Sequence, residues 1–174
     1  MTTVATIGIY GFDADTFTAA LRCASVTHVI DVRQRRGVRG PVYSWANSQR
    51  LQALLAAAGI SYSHHRELAP TTELRHLQYR EDNLAGVGKR NRQLLAAGYV
   101  TRYTHEILDH ADLGALIEGL PHDGRAALLC VETAAVACHR SLIAARLNSD
   151  YGSEVLHLEP DGATGTAAGT EAAY

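Results

Sequence analysis

Cysteine is scarce in this chain, and the little there is does not pair: Cys23, Cys130 and Cys138 are the three among 174 residues. A small odd number excludes a disulfide framework. A compact domain of this length needs no such staples, because it buries roughly 70% of its unfolded surface. Also missing is any apolar run near the roughly eighteen residues of a membrane-crossing helix, and the opening MTTVATIGIYGF carries no basic leader. The expectation is a soluble chain in a reducing cytoplasm. Excess charge is absent as well: the formal net charge is -2, which argues against a general nucleic-acid coat, whose grip on phosphate backbones is mostly electrostatic. A local basic patch is still allowed. The chain has no internal repeat.

What is present alternates. Val4 to Tyr10 is a β-rich apolar run ending at Gly11, and Asp13 then caps a helix with Phe17, Ala20, Leu21 and Ala24 on one face. His28 to Val32 reads as a second strand, followed by the loop RQRRGVRGP and a helix through Leu51, Leu54 and Leu55 that Gly59 ends. Ile60 to His64 is a third strand, and RELAPTTELR after it reads as loop with a short helix. Helical spacing is expected over 90–98 and over 99–120, with a break near Asp112 and a stop at Pro121. Arg125 to Val131, Cys138 to Asn148 and Glu154 to Leu158 complete the series as strand, helix and strand. The predicted fold is an α/β three-layer sandwich, a mostly parallel sheet of about five strands with helices on both faces. It forms a single domain over 1–159. The tail over 160–174 contains no aliphatic residue larger than alanine and is expected to be flexible and to support no packed element.

In an open parallel sheet, ligands bind outside the carboxyl ends of the strands. Those ends deliver Tyr10 and Gly11, Asp31 and Arg33, His64, His65 and Glu67, and Cys130 and Glu132. The loop after the second strand holds Arg33, Arg35, Arg36 and Arg39, and guanidinium presents a planar fork to phosphate or carboxylate. A solvated charged loop is the plain alternative, and Arg33 could instead pair with Asp31. The stretch LLCVETAAVACHRSLIA then supplies Cys130, Glu132, Cys138, His139 and Arg140. Three chemistries suit it. Cys130 or Cys138 could be a thiol nucleophile activated at a helix N-terminus. Glu132 could serve as a general acid or base, with Arg33 and Arg140 clamping an anion. Metal binding by Cys130, Cys138 and His139 lacks a close cysteine pair and a fourth ligand at recognisable spacing, so neither metal nor cofactor is expected. Against all three stands a buried network in which Glu132, Arg33 and Arg140 tie loops together. Lys89 to Arg92, KRNR, reads as a basic rim or a solvated helix start, and Tyr43 and Trp45 as stacking platforms or packing.

TIG at 6–8, IDVR at 30–33, AGISY at 58–62, REL at 66–68, LLCVE at 128–132, CHRSLIA at 138–144 and the closing EVLHL occur in order. In these features the chain resembles the domain of unknown function 488 family over about residues 4–159. The resemblance implies an α/β fold and a site around Asp31, Arg33, Cys130, Glu132, Cys138, His139 and Arg140, and it supplies no activity. Ile9, Tyr10 and Gly11 stand where members often carry His-Ser or Tyr-Glu-Gly, and TAAVA stands where Asp-Pro often precedes CHR.

These residues lead to the expectation of an enzyme on a phosphate-bearing, nucleotide-like or nucleic-acid-derived substrate. Glu132, Asp31 and His139 are the catalytic candidates, Arg33, Arg140 and Arg36 the anion binders, and Cys130 and Cys138 the nucleophile candidates. The alternative is a ligand or nucleic-acid binding module that uses the same pocket without catalysis.

Overall fold

A computed structural model of the chain describes residues 2–120 and 122–160 and the backbone of 164–166. Its strands are β1 (Thr3–Ile7), β2 (Val26–Asp31), β3 (Ser61–His64), β4 (Arg125–Leu129), β5 (Glu154–Leu158) and β6 (Thr164–Thr166). Its helices are α1 (Ala14–Cys23), α2 (Ser48–Ala57), α3 (Thr72–Leu84), α4 (Ala97–Glu106), α5 (Leu113–Glu118) and α6 (His139–Tyr151). The sheet order is β3-β2-β4-β1-β5-β6, with every pair from β3 to β5 parallel and β6 antiparallel to β5. The expected α/β sandwich is therefore present. β6 falls within the span read as a flexible tail, and residues 161–163 and 167–174 of that tail lie outside the described residues. Among the described residues no helix is long and apolar enough to cross a membrane.

Side chains of a strand alternate between faces, and the interior divides accordingly. Phe17, Leu21, Leu51 and Leu55 of α1 and α2 pack with Ala5, Ile7, Val29, Ala127 and Leu129. On the opposite face Leu74, Tyr103, Leu113, Ile143 and Leu147 of α3 to α6 pack with Val4, Ile30, Leu128 and Cys130. Burying each large side chain contributes roughly 1.5–3 kcal/mol. Local signals set the helix ends. Asp13 and Thr16 close a reciprocal capping box on α1, Thr71 and Asp112 cap α3 and α5, and Gly152 ends α6 at a φ of 65°.

Two expected segments differ. RELAPTTELR reads in sequence as loop with a short helix, yet Thr71 caps a thirteen-residue α3 that continues well beyond it. Residues 90–98 do not form a helix: a single 3-10 turn covers Lys89–Asn91 and Arg92 is extended, at φ -61° and ψ 133°. Arg92 is drawn inward there onto Asp82 and Glu132, and those ion pairs outweigh the local helical spacing.

The connections place the site. After β2 the chain moves outward through α2 to β3, whereas after β4 it moves through α6 toward β5, so a crevice opens between the carboxyl ends of β2 and β4.

Candidate functional site

A cavity of about 450 Å³ occupies that crevice. Its walls come from the loop after β2, with Arg33, Arg35 and Arg39, from α3, with Arg75 and Tyr79, and from the turn Lys89–Asn91 with Arg92 beyond it. Its floor is Cys130 and Glu132 past the end of β4 and Cys138 and His139 at the start of α6. Among the lining residues Glu132 is the one carboxylate, facing seven arginine and lysine side chains. Arg33 and Arg92 are paired with carboxylates of their own, while Arg35, Arg39 and Arg90 take no carboxylate partner among the described residues. Arg90 lies over the rings of Tyr10 and Tyr43, 5.2 and 5.5 Å from their centroids. Arg75 donates to Gln34 Oε1 at 2.6 Å and to the Tyr79 hydroxyl at 3.0 Å. The basic run at 89–92 thus forms part of the rim, whereas Trp45 packs on Phe17, 5.0 Å between centroids.

Strand parity separates the residues that the sequence grouped together. Cys130 points to the α3–α6 side of the sheet, and Asp31 points to the other. Asp31 is fully buried and accepts from Arg33 Nε at 2.9 Å, from Arg33 Nη2 at 2.7 Å and from the Tyr62 hydroxyl at 2.8 Å. Arg33 Nη1 also donates to the Ala46 carbonyl at 3.0 Å. Arg36 donates to the Tyr62 hydroxyl at 3.4 Å and lines no part of this cavity. Together these groups fasten the loop that follows β2.

Arg140 behaves in the same way. Its side chain is fully buried, and it donates to the carbonyls of Glu132 at 2.6 Å and Thr133 at 2.8 Å and to Thr6 Oγ1 at 3.4 Å. It does not line the cavity. Of the expected anion clamp Arg33, Arg36 and Arg140, only Arg33 lines the cavity, and the guanidinium groups of Arg33 and Arg140 are both engaged with internal acceptors. Gly8, the glycine of TIG, makes the Arg140 arrangement possible. A Cβ there would stand 1.9 Å from the Glu132 carbonyl oxygen and 3.1 Å from Arg140 Nη1.

The floor draws four of the expected residues together. His139 Nε2 lies 2.9 Å from the Val32 carbonyl, which can only accept, so that nitrogen carries the proton and Nδ1 is left facing two sulfurs. Cys138 Sγ is 3.7 Å and Cys130 Sγ 3.8 Å from Nδ1. Cys130 Sγ donates to Glu132 Oε2 at 3.4 Å. The other carboxylate oxygen, Oε1, is 3.4 Å from Arg92 Nη1 and 3.9 Å from Lys89 Nζ.

Burial pushes the Cys130 thiol well above its ordinary range. Burial also opposes ionisation of Cys138, but the adjacent Cys130 and the charges of His139 and Arg140 outweigh it and hold this thiol well below the usual range. Burial raises the Glu132 carboxyl, and the Cys138 thiolate adds to the effect while Lys89 works against it. For His139 burial favours the neutral ring, yet Cys138 and the Val32 carbonyl prevail and its affinity for a proton rises. The floor can therefore move a proton at Glu132, present an ionised sulfur at Cys138, or offer two sulfurs and a nitrogen to a soft cation.

Asp82 was missed in the sequence. It holds Arg92 through both carboxylate oxygens and accepts from Gln78 Nε2 at 2.8 Å, which fixes how Arg92 approaches Glu132. The spacing Gln78-x3-Asp82, which puts both residues on one helical face, was the available signal.

A parallel α/β protein with a cation-walled cavity at the switch point of its sheet, floored by thiols, an imidazole and a carboxylate, is the class that these observations define. Residues 13–147 match the model of the family described as Domain of unknown function DUF488, and the chain belongs to that family. No curated protein and no solved structure matches the chain.

Proposed function

We propose that the protein is an enzyme acting on a phosphate-bearing, nucleotide-like substrate bound in this cavity. One observation carries the reading: a cavity of about 450 Å³ at the sheet's switch point is walled by arginines and lysine, with a single carboxylate among its lining side chains. That volume suits a small molecule. Forked guanidinium groups in a recess favour a multiply charged anion over a neutral ligand. In this reading Arg35, Arg39, Arg75 and Arg90 hold the anion, Tyr10 backs Arg90, and Glu132 exchanges a proton with the reacting group at the floor. His139 and the two cysteines share that floor. A reducing cytoplasm suits the site, because Cys130 and Cys138 are both free thiols.

Calorimetric titration with inorganic phosphate, pyrophosphate and nucleoside phosphates tests the reading. Arg39→Ala and Arg90→Ala should each weaken binding about tenfold or more, since a charge-assisted hydrogen bond is worth roughly 1.5–3 kcal/mol. Binding should also weaken as salt rises. Affinity unchanged in both variants would refute it. A second reading, a binding module without catalysis, predicts that Glu132→Gln keeps its ligand and that no candidate substrate is ever turned over.

A further inference from the structure

We propose that Cys130, Cys138 and His139 hold a zinc-class divalent ion, with its fourth coordination position open to the cavity. The ligand atoms of the three residues all lie within 4.8 Å of one another, and all three side chains are buried. A tetrahedral zinc with Zn–S of about 2.3 Å and Zn–N of about 2.0 Å sets its S···N edges near 3.5 Å and its S···S edge near 3.8 Å. The S···N separations here are 3.7 and 3.8 Å, a few tenths of an ångström beyond those edges, and the two sulfurs lie within 4.8 Å of each other. Sequence spacing hid the set, because Cys130 leaves a strand while Cys138 and His139 open the next helix.

Further features favour a metal. The ring of His139 is oriented as metal-bound histidines are, with the non-ligating nitrogen donating to a backbone carbonyl, here Val32, and Nδ1 left to the ion. The ring also packs against Tyr103, 5.5 Å between centroids. Two thiolates and one imidazole make a soft set that selects zinc-class ions over magnesium or calcium, and two thiolates neutralise a divalent charge. The nearby cations do not compete for the sulfurs: Arg92 and Lys89 turn to Glu132, and Arg140 turns to carbonyls. All three ligands line the cavity, so a water can complete the coordination from that side.

What such a site would do rests on the proposed function. A bound divalent ion acidifies its water. Glu132 stands beside Cys130 and can take the proton as the hydroxide oxygen bonds to an electrophilic centre of the bound anion. The same proton then leaves with the departing group as its bond breaks. The reaction class is hydrolytic.

Elemental analysis of the full chain, isolated under reducing conditions without chelator, should find close to one zinc per chain. After stripping with chelator, cobalt(II) should bind stoichiometrically and show the sulfur-to-metal charge-transfer band and visible bands of a four-coordinate site. Cys130→Ser and Cys138→Ser should each lower zinc affinity by more than about a hundredfold, beyond the 10–100-fold that an outer-shell loss costs. Cys23→Ser should leave it unchanged, because that thiol is exposed and distant from the set. If a serine variant does not fold, cobalt titration of the parent chain decides alone. Absence of stoichiometric metal before and after dialysis against zinc, with all three thiols titrating freely, would overturn the proposal, and so would zinc binding indifferent to folded Cys138→Ser. Phosphate and nucleotide titrations of loaded and stripped chain separate the two readings. Anion binding without metal binding sinks only the metal site, and metal binding without anion binding sinks only the substrate assignment.

Discussion

Replacing Arg140 with methionine should unfold the protein far more readily without emptying the cavity of its anion. The guanidinium is fully buried and holds the carbonyls of Glu132 and Thr133 at 2.6 and 2.8 Å. Methionine fills much of the same volume and donates nothing, so both oxygens lose their partner, that of Glu132 in a buried position and that of Thr133 in a partly buried one. Hydrogen bonds to a charged group are worth about 1.5–3 kcal/mol each, or about 3–6 kcal/mol for the two. Removing a buried cation returns part of its desolvation cost, leaving a net loss of about 3–5 kcal/mol. With a urea slope of about 2 kcal/mol/M for a domain of this size, the midpoint should fall by about 1.5–2.5 M. Arg39→Gln on the exposed rim is the control and should stay within about 0.5 kcal/mol of the parent. Urea unfolding followed by circular dichroism, with phosphate and nucleotide titrations on the folded variants, measures both effects. A near-parental midpoint together with lost anion binding in Arg140→Met would refute this account and restore Arg140 as a ligand clamp.

Gly8→Ala should prevent folding or cost more than about 3 kcal/mol, because the new Cβ meets backbone at 1.9 Å; Gly40→Ala, with open space around it, should cost only the strain of its φ of +93°, and urea midpoints separate the two. Arg33→Gln should destabilise by about 3–5 kcal/mol, since it leaves the buried Asp31 carboxylate without its fork, and a parental midpoint would contradict that. Acid should weaken the Asp82–Arg92 tie. Burial works to raise the Asp82 carboxyl, but Arg92 and Gln78 outweigh it and hold it below its ordinary value. Its stabilising contribution is therefore complete above the unfolded aspartate value, about 3.9, and is lost as pH falls through the lower folded value. Asp82→Asn should flatten this part of the stability profile below about pH 4, and an unchanged slope there would speak against the tie.

The layered fold was legible because its strands are short apolar runs divided by helical spacing, and β4, whose Leu128 and Leu129 face opposite cores, is the clearest of them. Helix α3 was not, since its buried positions are Leu74, Gln78 and Asp82, and two of those three are polar residues that bond to each other and to Arg92 and Ala96 beyond the helix. The floor of the cavity was legible as residue types: Cys130, Glu132, Cys138 and His139 were all named from one stretch, and the fold brings them together. The duties of Arg33 and Arg140 were not readable, because a guanidinium bonded to carbonyls or to an internal aspartate carries no mark in the sequence that distinguishes it from one waiting for a ligand. Asp31 illustrates the same limit, as its place in the cluster depended on which face of β2 it occupies.

The loop after β2 and the turn at Lys89–Asn91 supply most of the cationic rim, while the floor stands on the end of β4 and the beginning of α6. Under the proposed function, recognition and reaction would reside on separately replaceable parts. Exchanging Arg35, Arg39 or Arg90 would then change what is admitted while Cys130, Glu132, Cys138 and His139 stay in place. On that reading the rim offers an engineer a surface on which preference for a ligand can be rewritten without rebuilding the floor beneath it.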